Sequence, residues 1–245
     1  MKREIALTDL TRMQRGRVCL AGYDREGRCY RPTLPPPGIA EESLYLPDGA
    51  VLAPGVVAEF DLIRPRPQPP HTEDYDYDPA SVRVVKKLTD EQRRKVLELS
   101  LFPSVAALFE QPIQHGPGHF VLDGQGPRSI GTLRPRAIHQ VIYESGEDGV
   151  WDYRLGFFDQ ADTYYRLKIV DLTWHYYCDS LRDAARQPAD IAASLTQQLK
   201  KSSVYLRVGL SRGWKKFPGR CFLQVTAIHT FPDYLQGKTF ADFRR

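Results

Sequence analysis

The ten residues between the last two predicted strands, Ser211 to Arg220, combine cations with aromatic rings and contain no acid. Cations of this kind neutralise phosphates while aromatic rings stack on unpaired bases, at about 1–3 kcal/mol per stacked base. The segment therefore predicts a loop that binds nucleic acid. The alternative is that Trp214 and Phe217 fold back onto the core and the cations are merely solvated. The candidate contacts are Arg212, Trp214, Lys215, Lys216 and Arg220.

A second group of cations and tyrosines lies near the N-terminus, around two predicted strands. We assign phosphate contacts to its cations, and base stacking to Tyr23 as well as to Trp214. The alternative is that the arginines pair with the nearby acids Asp9, Asp24 and Glu26. The candidates in this group are Arg12, Arg15, Arg17, Tyr23, Arg28 and Arg31.

One acidic, proline-rich tract has residues that suit a metal site. His71, Glu73 and Asp74 lie within four residues of one another, and Glu59 or Asp61 on the preceding predicted strand could add ligands. An imidazole with several carboxylates suits a divalent cation in phosphodiester hydrolysis. The same composition is also typical of a surface loop. A metal-dependent nuclease is therefore an alternative, and no cofactor is predicted.

Motifs for nucleotide-dependent or zinc-dependent catalysis are missing from the sequence. It has no P-loop, no H-E-x-x-H and no G-x-G-x-x-G. Each of these patterns places backbone amides or ligands where a phosphate or a metal binds. We therefore expect a binding protein rather than an enzyme.

Composition and charge are those of an ordinary globular chain. The 245 residues are 42% hydrophobic and 26% charged, with no run long enough for a membrane helix. Four separated cysteines and a start without an apolar signal segment predict a reduced, cytoplasmic protein with no membrane partner. The net charge of +4 is unevenly distributed, because residues 200–245 carry ten Lys/Arg against two acids. This basic segment indicates an anionic partner.

Short predicted strands in two groups would position these residues. About five strands precede Thr89, which caps a predicted helix to about Ser100, and a short helix follows from Ser104. Further strands run from His119, interrupted by a predicted helix pair after about Asp179. The absence of a βαβ alternation argues against a parallel-sheet fold. We predict a mostly β, α+β fold of two small barrels: residues 1–88, a helical connector at 89–112, and residues 113–245 with the inserted helix pair.

Several segments taken together resemble one family, the dual OB-containing domain proteins found mainly in prokaryotes. The resemblance implies two OB-like barrels and a nucleic-acid-binding role, and it assigns no catalytic residue. It extends over most of the chain. The segments that carry it are Leu7–Arg12, Gly16–Cys19, Ala21–Asp24, Pro70–Asp74, Asp171–Trp174, Val208–Trp214 and Cys221–Tyr234.

These observations predict a non-catalytic protein that binds single-stranded or structured nucleic acid through strand faces and loops. Two alternatives remain. One is the divalent-metal nuclease centred on His71, Glu73 and Asp74. The other is a protein-interaction module in which the aromatic C-terminal segment, Phe231 to Phe243, docks a partner.

Overall fold

The computed structural model describes residues 1–146, 149–213 and 216–244. In these ranges the chain is mostly β, as the sequence predicts. The strands are β1 (Lys2–Arg12), β2 (Arg17–Tyr23), β3 (Cys29–Thr33), β4 (Ile39–Ala40), β5 (Val56–Pro65), β6 (Asp74–Lys87), β7 (Leu101–Phe102), β8 (Gln114–His115), β9 (His119–Leu122), β10 (Ile130–Leu133), β11 (Ala137–Ser145), β12 (Trp151–Phe158), β13 (Tyr164–Ile169), β14 (Ser203–Leu210) and β15 (Arg220–Phe231). The helices are α1 (Asp90–Glu98), α2 (Val105–Phe109), α3 (Leu172–Asp183), α4 (Pro188–Lys201) and α5 (Phe240–Phe243).

The first five long strands close into a barrel. Their order is β1–β2–β3–β6–β5, and β5 pairs again with β1. All of these pairs are antiparallel except β3–β6, which is parallel. Counted along the barrel the order is first, second, third, fifth and fourth strand, which is the Greek-key order of an OB barrel. The short β4 extends this sheet from β2.

The second sheet repeats this order. It runs β11–β12–β13–β15–β14–β10, and its third and fifth strands, β13 and β15, are again parallel. β10 and β11 are consecutive in the chain, so they act as one first strand divided by residues 134–136. Helices α3 and α4 lie between the third and fourth strands. Two OB-like barrels are therefore present although the halves share no sequence repeat.

Additional elements join the second sheet. β7 lies in the predicted connector and pairs in parallel with β10, while the β8–β9 hairpin pairs with the start of β15. The connector helix α1 begins at the predicted cap. Thr89 Oγ1 accepts from the Gln92 backbone N–H, and the Gln92 side chain accepts from the Thr89 N–H. This capping box satisfies two amides that the first turn would leave unpaired.

Each barrel has its own apolar core, and the C-terminal half contributes to both. Leu172 of α3 and Phe240 of α5 are fully buried in the core of the first barrel. In the second barrel, Trp174 and Phe157 are fully buried. The aromatic C-terminal segment, to which one alternative assigns the docking of a partner, packs its Phe240 inside this chain. No helix of the described residues is long and apolar enough to cross a membrane.

Candidate nucleic-acid interface

The two barrels are joined through a buried arginine. Arg207 of β14 has no exposed surface. Its Nε donates to Asp9 Oδ2 at 2.8 Å, and its Nη1 donates to the Tyr23 hydroxyl at 2.7 Å and to Thr132 Oγ1 at 2.9 Å. The guanidinium also lies 4.9 Å from the centre of the Tyr23 ring. Because Asp9 and Tyr23 belong to the first barrel and Arg207 and Thr132 to the second, this cluster fixes one barrel against the other.

A second polar cluster closes the same junction beside β3. Arg31 Nη1 lies 3.4 Å from Asp74 Oδ1, and its Nη2 donates to Ser129 Oγ of the second barrel. Glu73 accepts from the Ser129 N–H at 2.8 Å and from its Oγ at 2.9 Å. Arg212 reaches back from the second barrel to pair with Asp74. The acids are thereby neutralised by cations from both barrels.

These contacts bury two residues that the sequence predicts as nucleic-acid contacts. Tyr23 is 2% exposed and Arg31 is 6% exposed, both against the second barrel. Neither side chain has the free surface that a base or a phosphate would need. The prediction that Tyr23 and Arg31 contact nucleic acid is therefore wrong. The local sequence did not show their burial, because the residues that cover them are distant in the chain.

The predicted metal ligands do not assemble into a metal site. Glu73 and Asp74 are bound by Ser129 and by arginines, while Glu59 pairs with Arg83 at 2.9 Å. Among the described residues, no group of three or more His, Cys, Asp or Glu side chains could hold a metal ion. The nuclease alternative therefore has no ligand set in this part of the chain.

His71 serves the junction instead. Its Nε2 lies 3.3 Å from the Leu210 carbonyl oxygen of the second barrel. Burial, together with the charges of Arg31 and Arg212, lowers the pKa of His71 to about 3. The imidazole is therefore neutral at physiological pH and acts as a structural hydrogen-bonding group.

The outer face of β12 and β13 is open and carries cations. Arg154 on β12 lies opposite Lys168 on β13, and Gly156 lies opposite Arg166. Arg166 and Lys168 are exposed, and neither forms an ion pair with any carboxylate of the described residues. Arg154 is paired with its neighbour Asp152 at 2.5 Å. Sequence reasoning missed these cations, although the alternation of β13 places them on one face.

An exposed aromatic group lies at one end of this face. The Tyr164 ring crosses the backbone at Gly156, where an added Cβ would lie 2.7 Å from the Tyr164 hydroxyl. The ring centres of Phe158 and His139 lie 5.2 Å and 5.6 Å from that of Tyr164. Tyr164 is 39% exposed. The absence of a side chain at position 156 lets a ring lie close to the sheet.

The predicted basic loop between β14 and β15 lies beside this face. Arg220 lies 4.7 Å from the Phe120 ring centre and 5.5 Å from that of Phe217, and Lys216 is exposed near Phe217. Phe222 continues the same aromatic group at 5.6 Å from Phe217. Two central candidates of the prediction, Trp214 and Lys215, lie outside the described residues.

This loop and the β12–β13 face belong to one surface. Lys168 of β13 pairs in register with Gln224 of β15. Two residues before Gln224, Phe222 of β15 contacts the Phe120 ring of β9 at 5.7 Å between centres. The outward side chains of β13 and β15 therefore lie on neighbouring strands, with β9 beside them at one end.

The N-terminal cations fall at different places. Arg12 and Arg15 are exposed and Arg17 is half-buried, in and around the connection from β1 to β2. The Arg12 N–H donates to the Val170 carbonyl at 2.7 Å, so this connection lies against the end of β13. Arg28 lies on the connection from β2 to β3, where it donates to the Tyr75 hydroxyl at 2.7 Å.

A comparison with known protein families now identifies the architecture. The chain matches the family described as a dual OB-containing domain over residues 7–228. The chain belongs to the dual OB-containing domain family. No curated protein sequence matches it significantly. The match extends over both barrels described above and confirms the predicted family and fold.

OB barrels bind oligonucleotides and oligosaccharides on the outer face of their second and third strands and on the loops 1–2 and 4–5. In this dual OB chain the corresponding faces are β2–β3 and β12–β13. The second barrel covers the first of these faces, and the second face is open. The predicted loop from Ser211 to Arg220 is the 4–5 loop of the second barrel.

A short match to a hydrolase motif lies at the start of that loop. Residues 209–213 have the G-x-S-x-G spacing of a nucleophile elbow, in which the serine projects from a strand-to-helix turn. Here the segment joins two antiparallel strands, and Ser211 Oγ accepts from the Phe222 N–H at 3.0 Å. The segment therefore belongs to a β-hairpin and not to the strand-to-helix turn of that motif.

Proposed function

We propose that this dual OB protein binds single-stranded nucleic acid on the open face of its second barrel, without catalysing a reaction. The observation that carries the proposal is the uncovered β12–β13 face, where Arg166 and Lys168 project without acidic partners among the described residues. The aromatic groups around Tyr164 and Phe217 lie along the same surface. Cations beside exposed rings are the composition that binds single strands without sequence preference.

The spacing of the cations suits an extended strand. Arg166 and Lys168 are two residues apart on β13, which is about 6.6 Å along a β-strand. Each guanidinium or ammonium can therefore contact a separate phosphate. Arg154 lies opposite Lys168 on the neighbouring strand, but its charge is paired with Asp152, so Arg166 and Lys168 supply the positive charge of this face.

The exposed ring of Tyr164 favours an unpaired strand over a duplex. Base stacking on an aromatic side chain requires a base that has left its own helix, and it contributes about 1–3 kcal/mol per base. The Tyr164 ring is supported from below by the sheet at Gly156, so it loses little conformational freedom when a base binds.

A binding panel tests the proposal. Fluorescence anisotropy would compare ssDNA, ssRNA and the corresponding duplexes, each of about 12 nucleotides, at about 50 mM and about 200 mM salt. We expect the single strands to bind more tightly than the duplexes. We also expect the double variant Arg166→Ala/Lys168→Ala to reduce the slope of log K against log salt by about 1.4, because each lost contact to a single strand removes about 0.7.

Lys200→Ala/Lys201→Ala is the matched control. These lysines are also exposed, but they lie at the end of α4, and the double variant changes the net charge equally. The control should bind as the parent does. Equal binding by the β13 variant and the parent at both salt concentrations, or a preference for duplexes, would overturn the proposal.

A further inference from the structure

We infer that the two barrels form one composite nucleic-acid site per chain, to which the first barrel contributes only the connection between β1 and β2. The inference rests on the proposed function. A chain with two OB barrels would in general present two ligand faces. Here the open face belongs to the second barrel, and one loop of the first barrel extends it.

The β2–β3 face of the first barrel is covered by the second barrel through buried charged side chains. Arg207 is fully buried and donates to Asp9, Tyr23, Ser100 and Thr132. Separating the barrels would break these bonds and leave Asp9 without its cation. Breaking a buried ion pair is strongly unfavourable. A nucleic acid therefore gains no access to this face while the protein is folded.

The end of the 4–5 loop of the first barrel is covered by the same junction. This loop joins β5 to β6 and contains His71 and Thr72. The His71 ring contacts the Leu210 carbonyl, and Thr72 Oγ1 donates to the Pro127 carbonyl at 2.7 Å. The connection between β1 and β2 is exposed, and its Arg12 and Arg15 form no ion pair with any carboxylate of the described residues, whereas Arg66 of the 4–5 loop pairs with Asp76 at 2.7 Å.

That connection is fixed beside β13 of the second barrel. Thr11 pairs with Asp171 as an isolated antiparallel bridge, and the Arg12 N–H donates to the Val170 carbonyl. Arg12 and Arg15 thus extend the cations of β13 past the end of the strand.

The composite site predicts one bound strand per chain. A strand that follows β13 past Lys168 would continue onto Arg12 and Arg15 of the other barrel. Two independent sites would instead give two ligands per chain, and a long strand that occupied both would gain from the linkage. The number of strands bound per chain therefore distinguishes the composite site from two independent sites.

Calorimetry with an oligothymidylate of about 12 nucleotides, a length within the usual range for one OB fold, would count the sites. We expect one strand per chain. We expect Arg12→Ala/Arg15→Ala to lower the salt slope by about 1.4, as the β13 variant does. The matched control is Lys2→Ala/Arg25→Ala, whose side chains are 73% and 77% exposed elsewhere on the same barrel. Urea unfolding of each variant would establish that its fold is intact.

Two equivalent sites per chain, or equal binding by the loop variant and its control, would overturn the inference. If the β13 variant loses affinity and the loop variant does not, the proposed function stands and the composite site does not. If the parent chain binds no oligonucleotide, the proposed function and the inference fall together.

Discussion

The variant Arg207→Met should have a much lower free energy of unfolding than the parent, because it leaves the buried carboxylate of Asp9 without its cation. Asp9 is 1% exposed and accepts from Arg207 Nε at 2.8 Å. In Arg207→Met the carboxylate keeps the hydroxyls of Thr8 and Thr226, at 2.7 Å and 2.6 Å, but loses its cation. A buried charge left in this way costs about 3–5 kcal/mol of unfolding free energy.

A double-mutant cycle separates this charge effect from lost packing. Asp9→Leu alone should cost about as much as Arg207→Met, because it leaves the guanidinium buried and unpaired. The double variant Arg207→Met/Asp9→Leu removes both charges, so its loss should be smaller than the sum of the single losses by more than about 2 kcal/mol.

Urea unfolding followed by tryptophan fluorescence and by circular dichroism would measure all four proteins. Because the two barrels share this junction, we expect the two signals of the parent to change in a single transition. A loss below about 1 kcal/mol for Arg207→Met, or strictly additive losses in the cycle, would refute the view that the junction is held by a buried ion pair.

Three further predictions follow from particular contacts. Burial lowers the pKa of His71 to about 3 and of His175 and His229 to about 4, so the unfolded chain binds more protons below about pH 6.5. The free energy of unfolding should therefore fall by about 1.6 kcal/mol per histidine between pH 6.5 and about pH 5. Asp171, whose pKa burial raises to about 7, opposes this by about the change of one histidine, so a net fall remains, and urea titrations giving equal values at both pH values would contradict it. An added Cβ at Gly22 would lie 2.2 Å from the Ala6 carbonyl oxygen on the paired strand. Gly22→Ala should cost at least about 2 kcal/mol and lower the melting temperature by roughly 4–8 °C in calorimetry; an unchanged melting temperature would contradict it. Gly156→Ala meets only the end of the Tyr164 side chain, so its melting temperature should change little. Its affinity for single strands should fall, as should that of Tyr164→Ala, by roughly 5- to 150-fold; full affinity in both variants would exclude stacking on this ring.

The local structure was largely predictable from the residues themselves. The cap at Thr89 and the cap at Ser104 both begin helices as expected, because their hydroxyls accept from amides that would otherwise lack partners. The start of α3 was predicted too late, at about Asp179. The helix begins at Leu172, where Asp171 accepts from the Thr173 and Trp174 amides. The aromatic run after this cap resembles a strand, and only the cap indicates a helix.

The duplicated topology lay beyond local reasoning. The halves have no sequence repeat, and the evidence for a second OB barrel is the pairing of β13 with β15 and of β10 with β14. These pairings join segments far apart in the chain. Propensity and alternation predict that strands exist, but they do not predict which strands pair.

Arg31 and Arg166 show why the site was only partly predictable. Both are outward-facing cations on the third strand of an OB barrel. Arg31 is covered because Ser129 of the other barrel meets it, while Arg166 remains exposed. The difference arises from the packing of one barrel on the other. The alternation of residues along a single strand does not predict this packing.

The segments that carry the family resemblance include several residues of the junction between the barrels. Its segments contain Asp9, His71, Asp74, Asp171 and Arg212, and each of these makes a polar contact that joins separate parts of the fold. These polar residues therefore hold separate parts of the fold together. The outward cations of β13 lie outside those segments. Experiments that locate the ligand surface should therefore target the strands that the junction leaves exposed, β12 and β13.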